Sequence, residues 1–178
     1  MNVFLAVKRK FLSLVLLIGI ASLLSSFTHS NQGVSIDFPD DWGLEKKSPL
    51  SLILIESPKR DENNRPEATV DLTVDTLSND INVNKVLLGT IYRILQSYEN
   101  LDSFEFIRHE DSDQDLERFD LSYPILLEGM GLQAQVYSVR KGDKLCTLTC
   151  IAQEDFFYDY SKLFADMAAS IRIETTEK

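Results

Sequence analysis

The sequence predicts an α+β domain: an antiparallel β-sheet of about six strands with two main amphipathic helices packed on it. Three observations carry this. Several short segments alternate apolar and polar residues with a period of two. Two longer segments, 83–99 and 155–170, place apolar residues at i, i+4, i+7, i+8 and i+11, one stripe of a helix. A Gly turn joins two of the strand-like segments, and neighbours joined this tightly pair antiparallel.

The elements follow in order. Val34, Ile36 and Phe38 alternate with Ser35 and Asp37, a half-buried strand ended by Pro39-Asp40-Asp41 and followed by Trp42. The run 52–55, Leu-Ile-Leu-Ile, is apolar on both faces and suits an inner strand. Residues 57–67 are polar and aperiodic, a solvated loop. Val70, Leu72 and Val74 form the core side of the next strand. Leu87, Ile91, Ile94, Leu95 and Tyr98 then mark the first helix, from about Val83 to Glu99, with Asn82 as N-cap. Strand signals return at Phe104 and Phe106, and at Phe119, Leu121 and Tyr123 before Pro124. Leu132, Ala134 and Val136 form another strand, and Lys141-Gly142-Asp143 turns it into the segment holding Cys146 and Cys150. The second helix starts with Asp155 as N-cap and aligns Phe156, Tyr160, Leu163, Phe164 and Met167.

The first thirty residues stand apart. Lys8, Arg9 and Lys10 precede the apolar run Phe11 to Leu24. Fourteen residues at ~1.5 Å each reach about 21 Å, short of a hydrocarbon core of about 30 Å, so residues 1–30 read as a signal peptide. Thr28 and Ser30 are the small residues for a cut ahead of Asn31, and a retained signal anchor is the alternative. Residues 31–178 then form a single domain, exported to the periplasm. No Cys precedes residue 146, so no lipoprotein anchor is expected.

Removing residues 1–30 takes away three basic side chains and no acidic one, which leaves 15 Lys plus Arg against 28 Asp plus Glu, a net −13. That charge disfavours nucleic acid and anionic membrane surfaces, so a membrane contact is expected only through an uncleaved anchor. Cys146 and Cys150, as i and i+4 of one strand, would lie about 13 Å apart, beyond the disulfide limit of roughly 7 Å. They are expected to be buried as small apolar residues.

The sequence offers no catalytic or metal-binding constellation, and an enzyme is not expected. Asp111, Asp113 and Asp115 alternate as calcium ligands often do, but the loop lacks Gly at its sixth position, Leu116, and a bidentate Glu at its twelfth, Ser122. The tract reads instead as a solvated acidic loop able to dock a basic partner. His109 is the one histidine left after signal removal, an exposed loop or strand-end residue, and no Gly-x-Ser-x-Gly elbow accompanies it. One His and two cysteines on a strand do not converge on zinc. Gly129-Met130-Gly131 lacks the spacing of a phosphate loop and reads as a strand bend or bulge. Thus no cofactor and no metal is expected.

The segment Phe38-Pro39-Asp40-Asp41-Trp42 resembles the F-P-x-x-W opening of the PsbP-like fold. The closing order of strand, Gly turn, Leu145 to Ala152, Phe-containing helix and Ser170 to Ile173 is similar to the same family. In character the chain is closest to its periplasmic DcrB-like branch; another branch is a cytosolic Ran-binding protein. The resemblance implies an antiparallel sheet flanked by helices, and a role by binding: to membrane complexes, to a small GTPase, or to secreted toxins as chaperones. It supplies no catalytic motif to carry over. The expected function is therefore a non-catalytic accessory protein of the bacterial cell envelope that contacts a protein partner, with Trp42, Asp111, Asp113 and Asp115 as candidate partner-binding residues. Trp42 is otherwise a core or sheet-edge anchor. The alternatives are a small-ligand or lipid carrier with a pocket between sheet and helices, and an exported immunity or chaperone-like protein for a secreted toxin.

Overall fold

A computed structural model describes residues 26–45, 52–78, 89, 105–109, 116–127 and 129–174. Among the described residues ten strands fall into two sheets. In the smaller, β2 (Val34–Pro39) lies between β1 (Ser26–Asn31) and β10 (Arg172–Ile173), antiparallel to both. The larger has seven antiparallel strands in the order β3-β4-β5-β9-β8-β7-β6. These are β3 (Gly43–Glu45), β4 (Ile53–Glu56), β5 (Ala68–Thr76), β6 (Glu105–His109), β7 (Leu116–Leu127), β8 (Met130–Lys141) and β9 (Lys144–Gln153). One α-helix, α1 (Phe157–Ala169), follows a single 3-10 turn at Glu154–Phe156.

Among the described residues there is thus one α-helix where the sequence predicts two. The first predicted helix, 83–99, lies outside the described residues apart from Gly89, which is helical. The second is present but starts later than predicted. Asp155 sits in the 3-10 turn, and the N-cap is Phe156, without a side-chain cap bond. Its predicted stripe holds, with Tyr160, Phe164 and Met167 buried and Leu163 partly so, and Ala168 joins it.

Alternation predicts the strand faces well. Val34, Ile36 and Phe38 are at most 1% exposed, and so are Val70 and Leu72. These strands divide between the two sheets, a partition that periodicity does not encode. The 52–55 run yields an inner strand, β4, in which Ile53 and Ile55 are buried and Leu54 is only half-buried. β7 runs on through Pro124, which pairs with Gln133 of β8. Among the described residues β6 pairs no further along β7 than Ser122, and Pro124, which has no N–H to donate, lies beyond that point. Gly142, at φ +61°, makes the predicted turn between β8 and β9, and Gly129, at φ +81°, turns β7 into β8.

The main core lies between the larger sheet, β2 and α1. Phe38, Ile55, Leu72, Leu148, Cys146, Cys150 and Phe164 are all within 1% of complete burial. A second cluster, Leu121, Tyr123, Ile125 and Ala134, occupies the opposite face of β7 and β8. β1 pairs with β2 from Ser26↔Pro39 to Asn31↔Val34, and Thr28 Oγ1 donates to Asp37 Oδ1 at 2.6 Å. The expected cut ahead of Asn31 falls within this strand. No helix of the described residues is long and apolar enough to cross a membrane.

Candidate functional site

Residues directly opposite one another in an antiparallel sheet share a face, so the register defines rows across it. One row on the α1 side runs Val74, Cys146, Val139, Arg118, His109, and the next runs Ile53, Leu72, Leu148, Tyr137, Asp120, Ile107. Both are apolar from β4 or β5 to β8, apart from the Tyr137 phenol, and polar or exposed on β7 and β6. The change falls where α1 ceases to cover the sheet. Ala165, Ala168 and Ala169 form that border of the helix, and small side chains there leave a cleft of about 200 Å³. Arg118, Asp120, His109 and Tyr137 also line it.

His109 Nε2 lies 2.7 Å from Asp120 Oδ2, with the two side chains 44% and 24% exposed. Phe106 stacks on Phe119 at 6.1 Å on the other face, and the Arg108 guanidinium sits 5.8 Å from the same ring. Burial first, and then the nearby Asp120 carboxylate, pushes the Tyr137 phenol far up, so it remains a hydrogen-bond donor. Ser138 borders the cleft as well, but its side chain lies on the other face of β8 from Tyr137 and Val139, its hydroxyl 3.5 Å from Thr147 Oγ1. The arrangement suits holding a small polar group between an imidazole–carboxylate pair, a guanidinium and a phenol.

The cysteines are free and buried, as the sequence predicts. Burial raises Cys146 to about 12 and Cys150 well above its ordinary value, so both stay thiols and neither is an activated nucleophile. Among the described residues, no three His, Cys, Asp or Glu side chains gather as a metal site.

Trp42, 6% exposed, is held in the core. Its ring meets Tyr160 edge-on at 5.9 Å, and its N–H of the main chain closes the turn onto Pro39 O at 3.2 Å. Tyr160 hydroxyl donates to Glu67 Oε2 at 2.9 Å and contacts Ser57 Oγ at 2.9 Å, which ties the helix to the ends of the 57–67 loop. Within that loop Asp61 accepts backbone N–H bonds from Asn63 and Arg65 and a bond from Gln153. Those bonds, the Arg65 backbone first, hold its carboxyl below the usual range. Asp111, Asp113 and Asp115 lie outside the described residues, between β6 and β7 in the chain.

Sequence reasoning places His109 correctly at an exposed strand end but not its partner, eleven residues away across the β6–β7 connection. The available signal is the alternation on β7, where Arg118 and Asp120 interleave with Phe119 and Leu121. Only the register shows that the charged set shares the face of α1.

No protein-family model and no curated protein matches the chain. Solved structures do. A cyanobacterial PsbP from Synechocystis superposes with a TM-score of 0.60 at 14% identity, over 84% of this chain and 93% of that one. LpqN of Mycobacterium tuberculosis, described as involved in cell envelope biogenesis, gives 0.59 at 18% identity, over 85% and 91%. The Ran-binding protein Mog1p of Saccharomyces cerevisiae gives 0.55 at 5%, over 84% and 95%. At such identities the likeness speaks for the fold alone. The antiparallel sheet, the C-terminal helix upon it and these superpositions together give the chain a PsbP-like fold.

Proposed function

We propose that this chain is a non-catalytic accessory protein of the bacterial cell envelope, exported by its leader and acting through contact with another protein. The observation that carries the reading is the tip of the β7–β8 hairpin, where Leu126 and Leu127 are 69% and 53% exposed. Adjacent exposed leucines at the end of a long hairpin form an apolar prong, and such patches mark contact surfaces. A formal charge of −10 over the whole chain disfavours an anionic lipid surface as its counterpart and favours an apolar pocket with a basic rim. The envelope description of LpqN and the binding description of Mog1p are in keeping with this role.

The test is crosslinking of the chain in cells, followed by identification of what is captured. Leu126→Glu with Leu127→Glu should abolish the captured species, and reversing the charge of Asp111, Asp113 and Asp115 should weaken it. Unchanged capture with the double leucine variant would remove the prong from the interface. Unchanged capture after charge reversal would remove the acidic tract.

A second reading, a small-ligand carrier, is favoured by the cleft beside His109, Arg118 and Asp120. At about 200 Å³ it holds a small polar molecule rather than a lipid chain. Native mass spectrometry of the purified chain should then show a bound small molecule that Arg118→Ala releases; an empty chain counts against this reading.

A further inference from the structure

We propose that β6 is a self-association edge, through which two copies of this chain pair antiparallel about a two-fold axis at Ile107 and join their larger sheets into one. The inference goes beyond the partner reading above and stands on a different part of the molecule. Among the described residues β6 is the last strand of its sheet, and all five of its residues are exposed. Phe106 and Ile107, at 41% and 43%, place apolar surface on both faces of the strand. An edge with unpaired backbone groups and apolar side chains is a template for another strand.

The sequence of β6, Glu105-Phe106-Ile107-Arg108-His109, is complementary to itself when reversed. With Ile107 on the axis it meets its own copy, Glu105 faces His109 of the second copy, and Phe106 faces Arg108. Each is a favourable cross-strand pair: apolar with apolar, carboxylate with imidazole, aromatic ring with guanidinium. Shifting the axis to Phe106 would set Glu105 against Ile107, and shifting it to Arg108 would set Ile107 against His109. The charges that would ordinarily protect an edge here fix its register. The backbone agrees, because a strand centred on a residue keeps outward-pointing N–H and C=O groups opposite one another. The interface is isologous and closes on itself, giving a dimer and not a fibre.

Cysteine crosslinking of the full-length chain in mild detergent tests both the pairing and its register. In the proposed dimer the two Ile107 Cα atoms lie about 4.5–5.5 Å apart, within reach of a disulfide. The two Glu105 positions are separated by four residues, about 13 Å, which is out of reach. With an added thiol oxidant, Ile107→Cys should form a disulfide-linked dimer, Glu105→Cys alone should stay monomeric, and Glu105→Cys mixed with His109→Cys should crosslink. Cys146 and Cys150 are buried and leave the readout clean. Sedimentation of the unsubstituted chain should show a dimer that Ile107→Lys dissociates, with both proteins giving the same circular dichroism. A monomeric unsubstituted chain overturns the proposal, as does an Ile107→Cys chain that never crosslinks or crosslinks no better than Glu105→Cys.

Discussion

On the side of the larger sheet that carries α1, the row Ile53, Leu72, Leu148 is at most 2% exposed, whereas its continuation beyond Tyr137 passes through half-buried Asp120 to Ile107 at 43%. One half of the face is core and the other is surface, although the hydrogen-bonded ladder is continuous from β4 to β6. Backbone pairing therefore does not decide which part of this sheet stabilises the fold. Coverage by α1 and β2 does. Where α1 lies on β8 and β9 each buried Leu, Ile or Phe contributes about 1.5–3 kcal/mol. Beyond its alanine border, charged groups remain wet enough to bind.

The largest effect should come from Phe164→Ala, which empties a fully buried site under the helix. A loss of about 3–5 kcal/mol is expected in denaturant titration, and a loss under ~1 kcal/mol would show that the helix is not the element dividing the two halves. Tyr160→Phe removes the hydroxyl shared with Ser57 and Glu67 while keeping the ring stacked on Phe164. It should lower stability by about 1–2 kcal/mol.

Alkaline pH probes the covered half by another route. Burial raises Cys146 from 9.0 to about 12, and burial first raises Tyr160 from 10.0 to about 12. In this window the unfolded chain holds fewer protons than the folded one. Stability is therefore full below pH 9, falls as pH rises towards 12, and has lost this contribution beyond it. Cys146→Ala should flatten the first part of the decline, and an unchanged slope would mean that the thiol is not shielded. The smallest effect is predicted for Asp120→Asn on the uncovered half. Its contact with His109 is partly open to solvent, so less than ~1 kcal/mol should be lost.

The cysteine strand, the 70–75 strand and the stripe of α1 were legible because each depends on a local period that matches burial on one side. Helix boundaries were less so. Asp155 has the chemistry of an N-cap, but the chain leaves β9 through a 3-10 turn and the helix begins two residues later. Trp42 was legible as a large apolar residue after a turn, and its place against Tyr160 was not, since the two rings are brought together by α1 folding back over the first strands. The His109–Asp120 pair was illegible for the same reason: its members meet through strand register, a property of two segments and not of either one.

By itself the sequence determined the α+β class, the inward faces of the strands, the turn at Gly142 and the burial of both cysteines, because period, φ freedom and apolarity act within a few neighbouring residues. Only the tertiary structure decided that the strands form two sheets, that β7 pairs with β8 straight through Pro124, and that the face of the larger sheet changes character at β7. Those outcomes depend on which strands become neighbours and how far one helix reaches, and both are set by packing over the whole chain.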